Sequence, residues 1–299
     1  MKLSTFLSII NWRKLVYLII LQFLFKICFL YNLGFETTMS FFSFSLLSIA
    51  TVSMLAAGYL ISYYNKHKED KLLEVTAKKA YSYGVISAFI SAALGMFISF
   101  YIGKPYHSLI GIITAGLLLF YLHYNPERGF FNIVLGPCIK AISIFIVWWF
   151  DTPINASDQQ WEIYFNFQLI AVFYIALSVV GNIVHQIIID IGNINEDFAS
   201  KTNTLPVLLG RRRAKSIALF LTIIGCIFVL GFAVTCIENK FILSIILFMG
   251  TIPELCLIYF IMNAHSEKDF KKVLKVSSVV YLLTIISIPL VAYYFRYVS

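Results

Sequence analysis

Asp190, Asn193 and Asp197 stand in the stretch GNIVHQIIIDIGNINEDFASKTNTLPVLLGRRRAK, which runs from Gly181 to Lys215. Their spacing of i, i+3 and i+7 puts all three on one face of a helix. Oxygen ligands at the end of an apolar helix suit a hard cation such as magnesium, which is usually held by one or two carboxylates together with substrate phosphates. The same three residues would equally serve to cap or solvate the helix end. Lys201, Arg211, Arg212, Arg213 and Lys215 follow in the same segment, so an anionic ligand would meet positive charge there.

The elements that position these residues are set by composition. Of the 299 residues, 60% are apolar and 13% charged, with a mean hydropathy of +0.85. A soluble domain has roughly 45–50% apolar and about 25% charged residues, so a cytosolic enzyme is excluded and an all-α integral membrane bundle is expected. Apolar runs fall near 14–33, 41–64, 80–102, 107–124, 131–150, 163–189, 214–237, 241–263 and 273–295, which predicts nine transmembrane helices. A β-barrel is excluded, because its strands alternate in polarity over about 10 residues. Inside lipid every backbone amide must be paired, so continuous apolar runs of this length are helices.

Lys and Arg give the orientation. With the N-terminus cytoplasmic and the C-terminus on the opposite side, 18 basic residues face inward and three, Lys104, Lys240 and Arg296, face outward. The formal charge of +8 is therefore an inner-face property, accounted for by the positive-inside bias and by anionic lipid headgroups. No nucleic-acid partner is expected. The N-terminal segment has the basic-then-apolar order of a signal peptide, but its run is long and no small-x-small cleavage site follows, so it is expected to remain as the first helix. The five cysteines, Cys28, Cys138, Cys226, Cys236 and Cys256, form no C-x-x-C pair and are expected to be packing residues. One transmembrane domain over 1–299 is expected, with enlarged cytoplasmic connections near 65–79 and 190–213, in a bacterial-type inner membrane.

Asp190, Asn193 and Asp197, followed by Thr204-Leu205-Pro206-Val207-Leu208-Leu209-Gly210 and the run Arg211 to Arg213, resemble the second signature of the UbiA superfamily of intramembrane prenyltransferases. The Ala56-Ala57-Gly58-Tyr59 stretch and the layout of nine spans with two enlarged inner loops are similar to that family as well. The resemblance implies two Asp-rich motifs, after helices 2 and 6, that bind magnesium and the diphosphate of an isoprenoid donor. In the first motif this sequence departs from the family pattern: Ser62, Tyr63 and Lys66 stand where Asn and Asp are usual, and Asp70 alone remains a carboxylate. In the second, Asn193 replaces the middle Asp, and Ile189 stands where a Lys often precedes the first Asp.

The resemblance implies prenyl transfer from an isoprenyl diphosphate to a lipophilic acceptor. Asp70, Asp190, Asn193 and Asp197 would hold magnesium, with Asp190, Asp197 and Lys66 as the catalytic set. Lys66, Lys68, Lys71 and Lys201 would steady the diphosphate oxygens. Lys66 has two accounts: direct contact with the diphosphate, as lysine makes in phosphate sites, or an ion pair with Asp190 or Asp197. The alternative function is a catalytically inactive relative that binds lipids or membrane partners. A transporter is disfavoured, since no internal repeat is visible.

Other polar residues lie inside apolar runs, where ionisable groups are functional candidates. Lys26 is near enough to the outer end of helix 1 to snorkel. Lys140 is deeper and a candidate for lining a cavity. Asn182, eight residues before Asp190, shares its face and is a candidate substrate contact; His185 lies to the side, where a hydrogen-bonded packing role is expected. Glu254, after Pro253, has no obvious partner in the sequence.

Overall fold

The computed structural model describes residues 3–32, 34–67, 73–123, 130–199, 203–235 and 239–297. The described residues are helical except for short connections and one isolated bridge between Thr37 and Pro153. In chain order the helices are α1 (Leu3–Ile9), α2 (Trp12–Phe25, continued by a π-helix over Lys26–Tyr31), α3 (Phe41–His67), α4 (Glu74–Tyr101), α5 (Ser108–His123), α6 (Phe130–Phe150) and α7 (Asp158–Gly192). They continue with α8 (Ile194–Ala199), α9 (Leu205–Leu209), α10 (Arg211–Thr235), α11 (Lys240–Ile245, then a π-helix over Ile246–Thr251), α12 (Ile252–Asn263) and α13 (Glu267–Tyr297).

Among the described residues, seven stretches are long and apolar enough to cross a membrane: α2 with its π-helix, α3, α4, α7, α10, α11 through α12, and α13. The other two runs form α5, described over 16 residues, and α6, described over 21; residues 124–129 between them and most side chains over 117–136 lie outside the described residues.

The two enlarged connections are more helical than expected. Instead of a loop over 65–79, α3 runs on to His67 and α4 begins at Glu74. Glu74 pairs with Lys78 at 2.7 Å, an i, i+4 contact that supports the first turn. Most of 190–213 is taken up by the end of α7 and by α8 and α9.

The chain forms two compact units, one of residues 1–126 with 142–168, the other of 127–141 with 169–299. In the first unit α3 and α4 lie close because their facing residues are small. A Cβ on Gly84 would sit 3.3 Å from the Ala57 carbonyl oxygen and 2.8 Å from Ile61 Cγ1. Ser87 and Ser91 of α4 donate to the carbonyls of Ser53 and Ala50 at 2.8 and 2.6 Å. Small residues and interhelical hydrogen bonds are what hold helices together in lipid, where apolar burial gives no net drive. Gln22 of α2 is fully buried and donates to Thr51 Oγ1 at 3.0 Å and to the Ser143 carbonyl at 2.7 Å.

Lys26 does not snorkel. It is buried, pairs with Asp151, and donates to the Met39 carbonyl at 2.8 Å. The Met39 amide in turn donates to Asp151 Oδ1 at 3.0 Å. The snorkelling expectation considered only the helix that carries Lys26, whereas its partner follows α6, 125 residues later. The Lys140 side chain lies outside the described residues.

In the second unit, Val184, Ile187, Ile188 and Ile191 form an apolar stripe along α7 at helical spacing. They are buried in one cluster with Leu205 of α9, Ala214 and Ala218 of α10, Leu257 and Ile261 of α12, and Phe270 and Val273 of α13. This cluster holds the C-terminal end of α7 against the rest of the unit.

Candidate functional site

The polar residues of α7 run along the face opposite that stripe. Ser178, Asn182, Gln186 and Asp190 recur every four residues, and the first two and the last two are bonded to each other. Asn182 Nδ2 donates to the Ser178 carbonyl at 2.8 Å and to Ser178 Oγ at 3.2 Å. Gln186 Nε2 donates to Asp190 Oδ1 at 2.8 Å. The carboxylate at the head of the series is thereby oriented by its own helix. Gln186 is a site residue that the sequence analysis missed; its position four residues before Asp190 was the available signal. The ladder extends roughly 18 Å from Asp190 back to Ser178, at about 1.5 Å per residue.

Past Asp190 the helix is broken for a single residue. Asn193 lies between α7 and α8, yet its amide still bonds to the Ile189 carbonyl at 3.0 Å, and the Asp197 amide to the Asn193 carbonyl at 2.9 Å. The expected shared face is therefore kept in part. Asp190 and Asp197 are buried, 2% and 6% exposed, whereas Asn193 is exposed. Asn193 is more open to solvent than the two carboxylates, so the three expected ligands are not equivalent.

The Thr204 to Gly210 turn is built on Leu205 and Pro206, both buried. Pro206 lies in the first turn of α9, where a missing N–H costs nothing. Gly210, at φ 85° and ψ 152°, occupies a region essentially reserved for glycine. It closes α9 through its amide on the Pro206 carbonyl at 2.9 Å, and its own carbonyl takes the Ala214 amide at 3.1 Å to start α10.

The basic run divides by role. Arg211 pairs with Glu267 at 3.4 Å, and Glu267 also accepts from Asn195 of α8. Lys215 donates to the Met262 and Ala264 carbonyls at 2.8 and 2.9 Å, satisfying the end of α12 where a cation also suits the helix dipole. Arg212 and Arg213 remain exposed, available to headgroups or to an anionic ligand.

The first motif is described only in part. Ser62 and Tyr63 lie in the last turns of α3, with the Tyr63 ring 4.6 Å from that of His67. Lys66 belongs to the same turn of α3, but its side chain lies outside the described residues, as do Lys68, Asp70, Lys71 and Lys201. His185 Nδ1 lies 3.0 Å from Ser277 Oγ, the hydrogen-bonded packing role expected of it.

Among the described residues, no group of three or more His, Cys, Asp or Glu side chains converges as a metal cage. Asp190 and Asp197 are carboxylates of the type that could hold a magnesium ion completed by substrate phosphates, and Gln186 would give Asp190 the outer support of a ligating carboxylate.

No curated protein sequence matches the chain. A solved structure of digeranylgeranylglyceryl phosphate synthase in membranes is similar over 97% of this chain and 98% of its own, with a TM-score of 0.71 and 14% identity. At that identity the likeness concerns the fold, the polytopic helical bundle described above. The sequence profile of the UbiA prenyltransferase family matches residues 23–279. With that match spanning both compact units and most of the chain, the protein belongs to the UbiA prenyltransferase family, a class of intramembrane transferases of alkyl groups.

Proposed function

We propose that the protein transfers an isoprenyl group from an isoprenyl diphosphate to a lipophilic acceptor within the membrane, with the diphosphate bound at the second motif. The observation that carries this is the pair of buried carboxylates, Asp190 and Asp197, at the end of an apolar helix and followed by the Thr204 to Gly210 turn. Two carboxylates at the end of an apolar helix are oxygen ligands of the kind that magnesium takes together with substrate phosphates. Asp190 and Asp197 would hold magnesium, which supplies positive charge against the leaving diphosphate. Asp70, Asn193, Lys66, Lys68, Lys71 and Lys201 are proposed from the family pattern as further contacts to metal or phosphate, and Asn182 as a contact deeper along the polar face of α7.

The chemistry required of these side chains is electrostatic. As the bond between the allylic carbon and the diphosphate oxygen breaks, its electron pair leaves with the diphosphate. Groups fixed beforehand around those oxygens lower the barrier. A nucleophilic atom of the acceptor then bonds to the allylic carbon and gives up its proton. Gln186 holds the Asp190 carboxylate in place, so that little reorganisation is needed as charge develops. We further infer that the motif faces the cytoplasm, from the 18 to three bias of basic residues.

Ser62, Tyr63 and Lys66 in the first motif favour a second reading, a relative that binds isoprenoid lipids without turnover. Incubation with magnesium, an isoprenyl diphosphate and a mixture of quinone-precursor and glycerol-phosphate acceptors separates the two. Release of diphosphate that is lost in Asp190→Ala supports transfer, and saturable donor binding with no release supports the second reading.

A further inference from the structure

Glu254 is the carboxylate that neither the motifs nor the packing explains. It lies in the first turn of α12, after the buried Pro253, and α12 follows directly on the π-helix Ile246–Thr251. Its side chain is aimed at Gly225 of α10, where a Cβ would lie 3.6 Å from each carboxyl oxygen. It borders two adjoining cavities within the second unit. The larger is walled by apolar groups such as Phe173, Leu177, Phe232 and Met249.

The polar atoms that share these cavities are already satisfied within the protein. The Tyr174 and Ser287 hydroxyls bond to one another at 2.6 Å, and Thr284 donates to the Val280 carbonyl at 3.0 Å. In the smaller cavity Thr222 donates to the Ala218 carbonyl at 2.8 Å, and Ser277 is bonded to His185. Glu254 Oε2 is sealed from solvent and meets no hydrogen-bond partner among the described residues. Leaving such a group unmet is costly, and an ionisable residue at membrane depth is retained for what it binds. π-helices interrupt α-helices frequently at functional sites; here one ends at Thr251, three residues before Glu254, and contributes Met249 and Gly250 to the cavity wall.

We propose that these adjoining cavities bind a membrane-soluble alcohol, whose hydrocarbon lies against α7, α10 and α13 and whose hydroxyl hydrogen-bonds Glu254 Oε2. An acid head would place a second carboxyl group beside that of Glu254 in an apolar surround, and a purely hydrocarbon occupant leaves Oε2 unmet. The site is independent of the diphosphate site proposed at Asp190 and Asp197.

The test is photolabelling of detergent-purified protein with three matched long-chain probes carrying a mid-chain diazirine: an alcohol, a carboxylic acid and a methyl-ended alkane. Labelled peptides are mapped by mass spectrometry. The alcohol is expected to label peptides containing Phe232 and Met249 about tenfold more strongly than the other two, the worth of one good hydrogen bond to a charged or buried group. Glu254→Gln, which still offers an acceptor, keeps that preference. Glu254→Leu loses it without losing thermal stability, because it removes a buried polar group that has no protein partner. Equal labelling by alcohol and alkane, labelling by the acid as strong as by the alcohol, or an undiminished alcohol preference in Glu254→Leu would overturn the assignment.

Discussion

Lys26 and Asp151, 125 residues apart in sequence, form an ion pair whose side chains are 3% and 0% exposed. The pair is closed on all sides by protein. Lys26 lies 4.9 Å from the Phe44 ring centre, and Asp151 also receives the Met39 amide. Removing one member of such a pair strands a buried charge, at a cost of about 3–5 kcal/mol. Lys26→Met and Asp151→Leu should each lower the unfolding temperature in detergent markedly. The double variant should recover much of the loss, since an apolar pair of similar volume leaves no charge behind. A double variant no better than the singles would contradict this account of the pair.

The α3–α4 contact depends on the absence of a side chain at Gly84. The atoms a Cβ would meet include the Leu60 Cβ at 3.2 Å and the Ala57 carbonyl oxygen at 3.3 Å, neither of which can rotate away. Gly84→Leu should therefore destabilise the first unit by about 1–3 kcal/mol, as overpacking does. Gly95, with nothing within 4 Å of its Cβ position, is the control: Gly95→Ala should leave the unfolding temperature unchanged or raise it.

Much of the fold was legible because lipid leaves the backbone few choices. Continuous apolar runs must be helices, and among the described residues all nine runs are. The acidic face of the second motif was legible through its helical spacing, and Gln186 could have been read from the same rule. Lys26 and Glu254 were not legible, for a common reason. Their surroundings come from distant helices, Asp151 in one case and Gly225 with α13 in the other, and spacing along one helix carries no information about them. Charge was misleading between 65 and 79, where Glu74 and Lys78 extend a helix past its membrane run.

His107 sits in the 3₁₀ turn Pro105–His107, which precedes α5. It is buried against Phe150 and Trp149, with ring centres 5.0 and 5.6 Å away. Burial, and secondarily the nearby Lys104, hold its imidazole below the usual histidine range. The folded protein thus favours the neutral ring, and stability present above the unfolded value of about 6.5 is lost as pH falls below it. Unfolding temperature should decline from pH 7 to pH 5, and His107→Phe should flatten that decline. An unchanged slope in the variant would count against His107 as its source.

Gly210 joins α9 to α10 at a backbone geometry that side chains avoid. Gly210→Ala should cost about 1–3 kcal/mol from strain alone, although nothing lies within 4 Å of the added methyl group. The loss should be accompanied by weaker donor binding, because the turn holds Leu205 in the cluster that supports the end of α7. Equal stability and binding in Gly210→Ala would show that the turn is not under this constraint.

The most direct test of the central claim is magnesium-dependent binding of a non-hydrolysable geranylgeranyl diphosphate analogue to the detergent-purified chain, compared with Asp190→Ala and Asp197→Ala. The account predicts saturable binding that needs magnesium and is lost in both variants, with turnover falling by about 10²–10³ as when a fixed electrostatic stabiliser is removed. Binding that persists unchanged in both variants, or that needs no magnesium, would contradict a diphosphate site at the second motif.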